Sequence, residues 1–337
     1  MHKDESQHAN NPMKKNTTTP TSTTPTYVGM DVAKATLQVH LDGHQIEFQN
    51  DAQGHARLSQ QLGKLSRPHV ICEATGGYER PIVQALHDLK ILVSVLNPAH
   101  ALAASRAQGK RAKTDRCDAE ALTEYGQRYQ PAAAAPVAAE LREVTALTVW
   151  LKQLIENRAL AQTQAEHQDD KFVQGQHEKL LAHYDQQIKT AEAKIKKCIE
   201  SLPRFQQRLD SLVEIEGVGF RTALMMLVFL PELGTMNRGQ TASLAGLAPW
   251  TRDSGTMKGK RSIGGGRSTV RAALYMSALS ASRCNPILAA YYQGLKKRNK
   301  PSKVALTAVM RKLVIYMNHK LKALAAQPAE PKTKTEK

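Results

Sequence analysis

The chain has 337 residues, and its 47 Lys and Arg against 30 Asp and Glu give a formal charge of +17 at pH 7. This length and the 41% apolar content suit two or three domains, while a pI near 9.7 indicates a polyanionic partner such as nucleic acid. The four scattered cysteines argue against a disulfide scaffold or zinc ribbon, and the lack of a long apolar run argues against a secreted or membrane protein, so we expect a cytoplasmic one.

Short strands and helices alternate along residues 27–135. β-Branched and apolar residues predict strands at 27–30 and 36–41, and the Asp42-Gly43 turn predicts a hairpin to a third strand at 45–48. There follow a helix over 56–65, a strand in HVICEAT, a helix over 80–89, a strand in ILVSVLNP and a helix in KTDRCDAEALTEYG. This order predicts an α/β domain with a mixed sheet.

Residues 136–202 have a different pattern, with apolar side chains at heptad-like spacing in two blocks, 141–155 and 181–202. The spacing predicts two long helices that form a coiled-coil arm for self-association. A plain helical linker is the alternative interpretation.

Charge is concentrated in the last third of the chain. Residues 203–322 carry 20 basic and 5 acidic side chains, whereas residues 27–135 carry 12 and 11. We therefore predict a basic, mostly helical C-terminal domain over 203–323. The Thr- and Pro-rich residues 1–26 and the tail 324–337 are predicted to be disordered.

Four carboxylates in the α/β region could form a metal site. Asp31 follows an apolar strand, Glu73 ends another, and Asp115 and Asp118 lie three residues apart on a helix, where they share a face. Strand-borne acids are costly to bury without a cationic partner, and Mg²⁺ prefers carboxylate oxygens together with phosphate oxygens. Each acid alone would more often be a turn former, a cap or a solvated helix residue.

Several motifs resemble the DEDD transposases of the insertion-sequence 110 family, which are also called bridge-RNA-guided recombinases. The similarity spans about residues 27–322 and rests on GMDVAK, ICEATGGYE, KTDRCDAEALTEY and GLAPWTRDSGTMKGKRSIGGGRSTVRAALYM. It implies a RuvC-like, RNase H-type N-terminal domain in which Asp31, Glu73, Asp115 and Asp118 are catalytic. It also implies two Mg²⁺ ions, for which Mn²⁺ can substitute. The implied partners are donor and target DNA, a guide RNA, and further copies of the chain in a dimer or tetramer.

The resemblance further singles out Ser254 in the Asp-Ser-Gly of the basic segment. In this family the matching serine attacks DNA and forms a covalent phosphoserine link, a role that requires activation by a base or a metal. On chemistry alone Ser254 would be a turn residue, and Ser262 or Ser268 would be comparable candidates.

Basic side chains and two glycines are the candidate nucleic-acid contacts. A glycine-rich, helix-hairpin-helix-like turn lets a backbone approach phosphate, although a tight interhelical turn is the plainer interpretation. Clustered Lys and Arg would bind phosphates, although a solvated surface is the alternative for each. The candidates are Arg106, Lys110, Arg111, Lys113, Arg116, Gly217, Gly219, Arg252, Lys258, Lys260, Arg261, Arg267, Arg271, Lys296, Lys297 and Arg298.

Three functions fit these features. The first is an RNA-guided transposase that cuts and rejoins DNA through Ser254 and the metal site. The second is a metal-dependent nuclease resembling a Holliday-junction resolvase, in which Ser254 takes no part. The third is a non-catalytic DNA- or RNA-binding protein with structural carboxylates. We favour the first.

Overall fold

The structure is a computed structural model that describes residues 25–98, 115–250, 259 and 261–326, and only the backbone of 115–117. The chain divides into two compact units, Met1–Val137 and Ala138–Lys337. The described part of the first unit is a mixed sheet with helices, and that of the second is almost wholly helical. The predicted α/β plus α class is therefore confirmed. Of the ends predicted to be disordered, Thr26 begins the first strand and residues 324–326 end the last helix.

The described part of the first unit contains a five-stranded sheet with the order β3-β2-β1-β4-β5. Strand β1 pairs antiparallel with β2 and parallel with β4, and β4 pairs parallel with β5. The elements are β1 Thr26–Val32, β2 Thr36–Leu41, β3 His44–Gln49, α1 Ala52–Leu62, β4 Pro68–Glu73, α2 Arg80–Asp88, β5 Leu92–Leu96 and α3 Asp115–Tyr129.

Local sequence accounts for the β2–β3 hairpin and for the start of α1. Asp42 and Gly43 both have positive φ, 49° and 77°, which is the conformation of a two-residue turn, so the predicted hairpin is confirmed. Leu41 pairs with His44, and β3 thus begins one residue earlier than predicted. Helix α1 begins four residues earlier than predicted. The reason is that the Asp51 carboxylate caps it, accepting a hydrogen bond from the backbone N–H of Gly54 at 2.8 Å.

The two faces of the sheet are covered by different helices. Side chains of β1 and β4 such as Met30 and Cys72 pack with those of α1 and α2 in one hydrophobic core. On the opposite face Tyr27 and Ile71 pack with Leu122 of α3. Because side chains alternate along a strand, Asp31 and Glu73 lie on the face that α3 covers.

In the second unit, helices surround one hydrophobic core that includes residues from the two long helices and from the helices that follow them. The elements are α4 Ala139–Ala165, α5 Lys171–Glu200, α6 Pro203–Val213, α7 Phe220–Phe229, α8 Arg238–Leu244, β6 Pro249–Trp250, β7 Ser262–Ile263, α9 Ser268–Cys284, α10 Pro286–Lys297 and α11 Ser302–Ala326. None of the helices described here is long and apolar enough to cross a membrane.

The two predicted long helices are present as α4 and α5. They run antiparallel, because Arg158 pairs with Asp185 near one end of the hairpin and Lys194 pairs with Glu143 nearer the other. Val144, Leu151 and Ile195 are fully buried along it. A supercoil and association between copies through this hairpin stay predictions.

Candidate functional site

Asp31 and Glu73 are carried by neighbouring parallel strands. The register of β1 and β4 places Met30 opposite Cys72, so Asp31 and Glu73 follow as the next residues at the carboxyl ends of the two strands. Both side chains are half-buried, and both lie on the α3 face of the sheet. The fold thus brings two of the four predicted carboxylates to one edge of the sheet.

Helix α3 lies against β1 with its backbone in direct contact. A Cβ atom added to Gly29 would lie 1.9 Å from the carbonyl oxygen of Ala119, and one added to Gly126 would lie 2.7 Å from Cδ1 of Tyr27. The backbone N–H of Gly29 donates a 2.7 Å hydrogen bond to Oγ1 of Thr123. Side chains at positions 29 and 126 would therefore push the helix away from the sheet.

These contacts also give the direction of α3 over the sheet. Gly126 lies by Tyr27 and Ala119 lies by Gly29, so moving toward the start of the helix means moving along β1 toward Asp31. Position 115 is about one turn before Ala119 and lies on the same face of the helix. Asp118 immediately precedes Ala119. The start of α3 is thereby directed to the sheet edge that carries Asp31 and Glu73.

The structure describes the side chains of three of the four predicted metal ligands. Within the described residues, no three Asp, Glu, His or Cys side chains group closely enough to hold a metal ion. The side chain of Asp115 lies outside the description, while Asp31, Glu73 and Asp118 lie within it and each makes contacts. A set of carboxylate oxygens at one sheet edge is chemically suited to Mg²⁺ or Mn²⁺.

Glu79 shapes the loop that follows Glu73, a role that the sequence analysis missed. Its Oε2 accepts hydrogen bonds from the backbone N–H of Thr75 at 3.1 Å, from Oγ1 of Thr75 at 2.9 Å and from the N–H of Gly77 at 2.8 Å. Burial alone would raise the pKa of Glu79, but a hydrogen bond from its own backbone N–H, together with those from Thr75 and Gly77, outweighs burial and holds the pKa below its ordinary value. The Thr-Gly-Gly turn in ICEATGGYE was the available signal.

The lowered pKa of Glu79 predicts a specific loss of stability in acid. A carboxyl whose pKa is lower in the folded state stabilises the fold above its unfolded pKa, and this contribution disappears as the pH falls through its folded value. Since Gln can accept the same bonds without titrating, we expect wild type to lose more stability than Glu79→Gln between about pH 5 and pH 3. Urea unfolding at each pH would measure this, and parallel curves for the two proteins would contradict it.

The other predicted site residues divide by whether the structure describes them. Those outside the described residues are Ser254, Arg106, Lys110, Arg111, Lys113, Arg252, Lys258 and Lys260, together with the side chain of Arg116. Strands β6 and β7 pair with each other on either side of residues 251–261, with Trp250 opposite Ser262. The stretch that contains Ser254 thus begins and ends at one two-stranded ribbon.

The basic candidates that the structure describes differ in their exposure and in their hydrogen bonds. Arg267 and Arg271 are half-buried, and both donate hydrogen bonds within the second unit. Arg261, Lys297 and Arg298 are exposed, and Lys296 precedes Lys297 in the last turn of α10. The exposed members of the set are open to solvent, and their role in binding phosphate stays a prediction.

The two candidate glycines lie in the turn between α6 and α7. Gly217 has φ 92°, and a Cβ there would lie 2.6 Å from the backbone of Ala281, so packing against α9 requires glycine. Gly219 caps the start of α7, and a Cβ there would meet open space. A packing role therefore accounts for Gly217 without any ligand, and contact with nucleic acid stays a prediction for both.

Comparison with known proteins identifies the class. A transposase model of the DEDD type from the IS110 family matches residues 28–173, and a second model, of the IS116/IS110/IS902 transposase family, matches residues 209–293. The chain belongs to the IS110 family of transposases, and it is a DNA transposase or recombinase.

Relatives agree with this assignment. The chain is 28% identical over 305 residues to the pilin gene-inverting proteins of Moraxella lacunata and of Moraxella bovis, covering 86% of this chain and 93% of each relative. It is 32% identical over 137 residues to an uncharacterized 43.6 kDa protein of insertion element IS110 from Streptomyces coelicolor, covering 40% of this chain and 33% of the relative. The similarity to the inverting proteins extends through both units.

Proposed function

We propose that this chain moves or inverts a DNA segment by metal-assisted attack of Ser254 on a phosphodiester, guided by an RNA that the element encodes. The observation that carries the proposal is the sheet edge at which β1 and β4 end side by side beneath α3. This edge carries Asp31 and Glu73 from separate parts of the chain, which supports a RuvC-like nuclease domain. The names of the Moraxella relatives support DNA inversion as one outcome.

Asp31, Glu73, Asp115 and Asp118 would hold the divalent ions. Their donor set is all carboxylate, which matches the preference of Mg²⁺ for hard oxygen ligands. When bound, Mg²⁺ supplies positive charge that offsets the charge building up on the phosphate oxygens. Glu79 would not bind the ions itself. It would help to hold Glu73 in place, because its hydrogen bonds fix the turn that directly follows Glu73.

Ser254 would take part in two transesterification steps. In the first, its Oγ forms a bond to phosphorus, the bond from phosphorus to a sugar oxygen breaks, and the Oγ proton passes to a base while the leaving oxygen gains a proton. In the second, the hydroxyl of another strand attacks the phosphoserine, and Ser254 recovers its proton as its bond to phosphorus breaks. The number of phosphodiester bonds is unchanged, so strands are rejoined without an external energy source.

The basic residues of the second unit would bind the backbones of the DNA and the guide RNA. Base pairing by a guide RNA leaves the protein to bind backbones, which suits a surface with exposed residues such as Arg261, Lys297 and Arg298. Self-association through α4 and α5, as a dimer or tetramer, would bring two chains to one pair of DNA substrates.

The acid cluster is tested by metal-dependent cleavage. Purified protein is combined with RNA transcribed from the ends of the element and with DNA carrying its junction, in Mg²⁺ or in EDTA. We expect cleavage in Mg²⁺ alone, and we expect Asp31→Asn and Glu73→Gln to reduce it by at least about 100-fold while DNA affinity is kept.

Asp42→Asn is the matched control for this experiment, because it removes an exposed acid from a turn of the same unit and should leave cleavage unchanged. DNA binding that falls steeply with salt, without cleavage in any divalent metal, would instead support the non-catalytic binder. Full cleavage by Asp31→Asn would contradict the assignment of the acids.

A further inference from the structure

Two chain segments follow the strand ends that carry Asp31 and Glu73. After β1 the chain turns back at once into β2, and after β4 it forms the turn of residues 74–79 and enters α2. The pairing of β1 with β4 ends at Met30 and Cys72, so both segments lie beyond it. Contacts outside this pairing must therefore set the spacing of the two segments.

The side chain of Asn50 joins these two segments. Asn50 directly follows β3, and its Nδ2 donates hydrogen bonds to the carbonyl oxygen of Ala33 at 2.8 Å and to that of Tyr78 at 3.2 Å. Ala33 comes two residues after Asp31, and Tyr78 comes five residues after Glu73. One side-chain amide thus connects the segment after β1 to the turn after β4.

Chemistry determines which end of this amide faces the two segments. A backbone carbonyl oxygen can only accept a hydrogen bond, and the NH₂ group of asparagine has two hydrogens, one for each carbonyl. The amide oxygen then faces His55, whose Nε2 lies 2.8 Å from Oδ1 of Asn50. Since Oδ1 can only accept, Nε2 of His55 carries a proton and donates it.

His55 and the backbone hold Asn50 itself in place. His55 is buried in α1, and burial lowers its pKa although the nearby charge of Asp51 acts in the opposite direction. The ring is therefore mostly neutral at pH 7. The backbone N–H of Asn50 also donates to the carbonyl oxygen of Ala35 at 2.8 Å. Rotation of the amide would break hydrogen bonds on both of its sides.

We propose that Asn50 is a positioning residue that holds Asp31 and Glu73 at the spacing that a divalent metal ion requires. The proposal rests on the proposed function, in which these two acids bind metal. Ligands that are already in place before the ion arrives bind it more tightly, because little ordering is left to be done on binding. Loss of a group that orients metal ligands typically costs about 10- to 100-fold in metal affinity or activity.

Asn50→Asp tests the proposal, because aspartate has the same shape but presents an acceptor to the two carbonyl oxygens. We expect the Mg²⁺ concentration for half-maximal DNA cleavage to rise by about 10- to 100-fold, and saturating Mg²⁺ to restore most of the rate. A role in stability alone would lower the rate equally at every Mg²⁺ concentration, and that result would overturn the proposal. Asn50→Ala loses the same hydrogen bonds without adding a charge, and it should shift the Mg²⁺ dependence in the same direction.

Gln49→Glu is the matched control. It makes the same change from amide to acid one residue earlier, at an exposed position of β3. The Mg²⁺ dependence of cleavage should therefore stay at the wild-type value. A shift as large as that of Asn50→Asp would assign the effect to the added charge and would overturn the proposal.

Two further readouts do not depend on cleavage. Mn²⁺ binding to the protein without DNA, followed by the EPR signal of the free ion, should weaken by about 10- to 100-fold in Asn50→Asp. In the metal-free protein, hydrogen exchange should become faster in peptides covering 33–36 and 74–79 but not in peptides from α11. Unchanged Mn²⁺ binding or unchanged exchange would overturn the proposal.

Asp31→Asn separates a failure of this proposal from a failure of the metal site. If Asp31→Asn cleaves DNA as wild type does, the metal site is wrong, and the role of Asn50 fails with it. If Asp31→Asn does not cleave while Asn50→Asp responds to Mg²⁺ as wild type does, only the role of Asn50 is overturned.

Discussion

Ser254→Ala should abolish the covalent link between protein and DNA. Alanine keeps the backbone and removes the only atom that can form the proposed bond to phosphorus, so no residual link is expected. The measurement is a denaturing pull-down of the protein from cells that carry the intact element, probed for DNA that stays attached. Sequencing of the attached DNA from wild type would then map donor and target sites.

Ser268→Ala is the control, because Ser268 begins α9 close to the same basic segment in sequence and is exposed. It should retain the link at the wild-type level. If wild type forms no such link while metal-dependent cutting persists in Ser254→Ala, the serine mechanism is wrong. The nuclease resembling a Holliday-junction resolvase would then be the better account, with water as the attacking group.

Gly29→Val should both destabilise the first unit and abolish cleavage. A Cβ at this position would lie 1.9 Å from the carbonyl oxygen of Ala119, and the nearest atoms are backbone atoms that cannot turn aside. Helix α3 must therefore shift away from β1, and the acids at its start shift with it relative to the sheet edge. We expect a loss of about 1–3 kcal/mol or more in the free energy of unfolding, measured by urea titration, and no detectable DNA cleavage.

Gly175→Ala is the matched control for the glycine change. Gly175 lies within α5, and a Cβ there would meet nothing within 4 Å. Alanine should raise stability by about 0.5–1 kcal/mol, because it restricts the unfolded chain and favours helix. Wild-type stability and cleavage in Gly29→Val would show that α3 does not rest on β1 as described.

Sequence patterns predicted the parts of the fold that depend on local chemistry. The Asp42-Gly43 hairpin and the strand over 36–41 depend on adjacent residues, and both are confirmed. The two long helices were predictable for the same reason, since apolar spacing fixes which face is buried. The acids at 31 and 73 were found as strand ends, and the parallel pairing of β1 with β4 then made them neighbours.

Partners that are distant in sequence could not be predicted. Arg267 looks like any other arginine in a basic segment, because nothing nearby indicates that Glu232 will accept its two hydrogen bonds. Glu79 likewise looks like a surface residue until the turn at Gly77 folds around its carboxylate. Gly29 offered a partial signal, since glycine inside a strand often marks the close approach of another backbone.

The contact between Gly29 and α3 has a consequence for synthesis of the chain. Gly29 and Thr123 are 94 residues apart, which at about 5–20 residues per second separates their emergence from the ribosome by roughly 5 to 20 seconds. Until α3 has been made, Tyr27 and Ile71 have no helix to cover them, and the acids at 115 and 118 do not yet exist. A chain that terminates early would therefore present an apolar, aggregation-prone sheet, and it would lack two of the four acids on which the proposed mechanism depends.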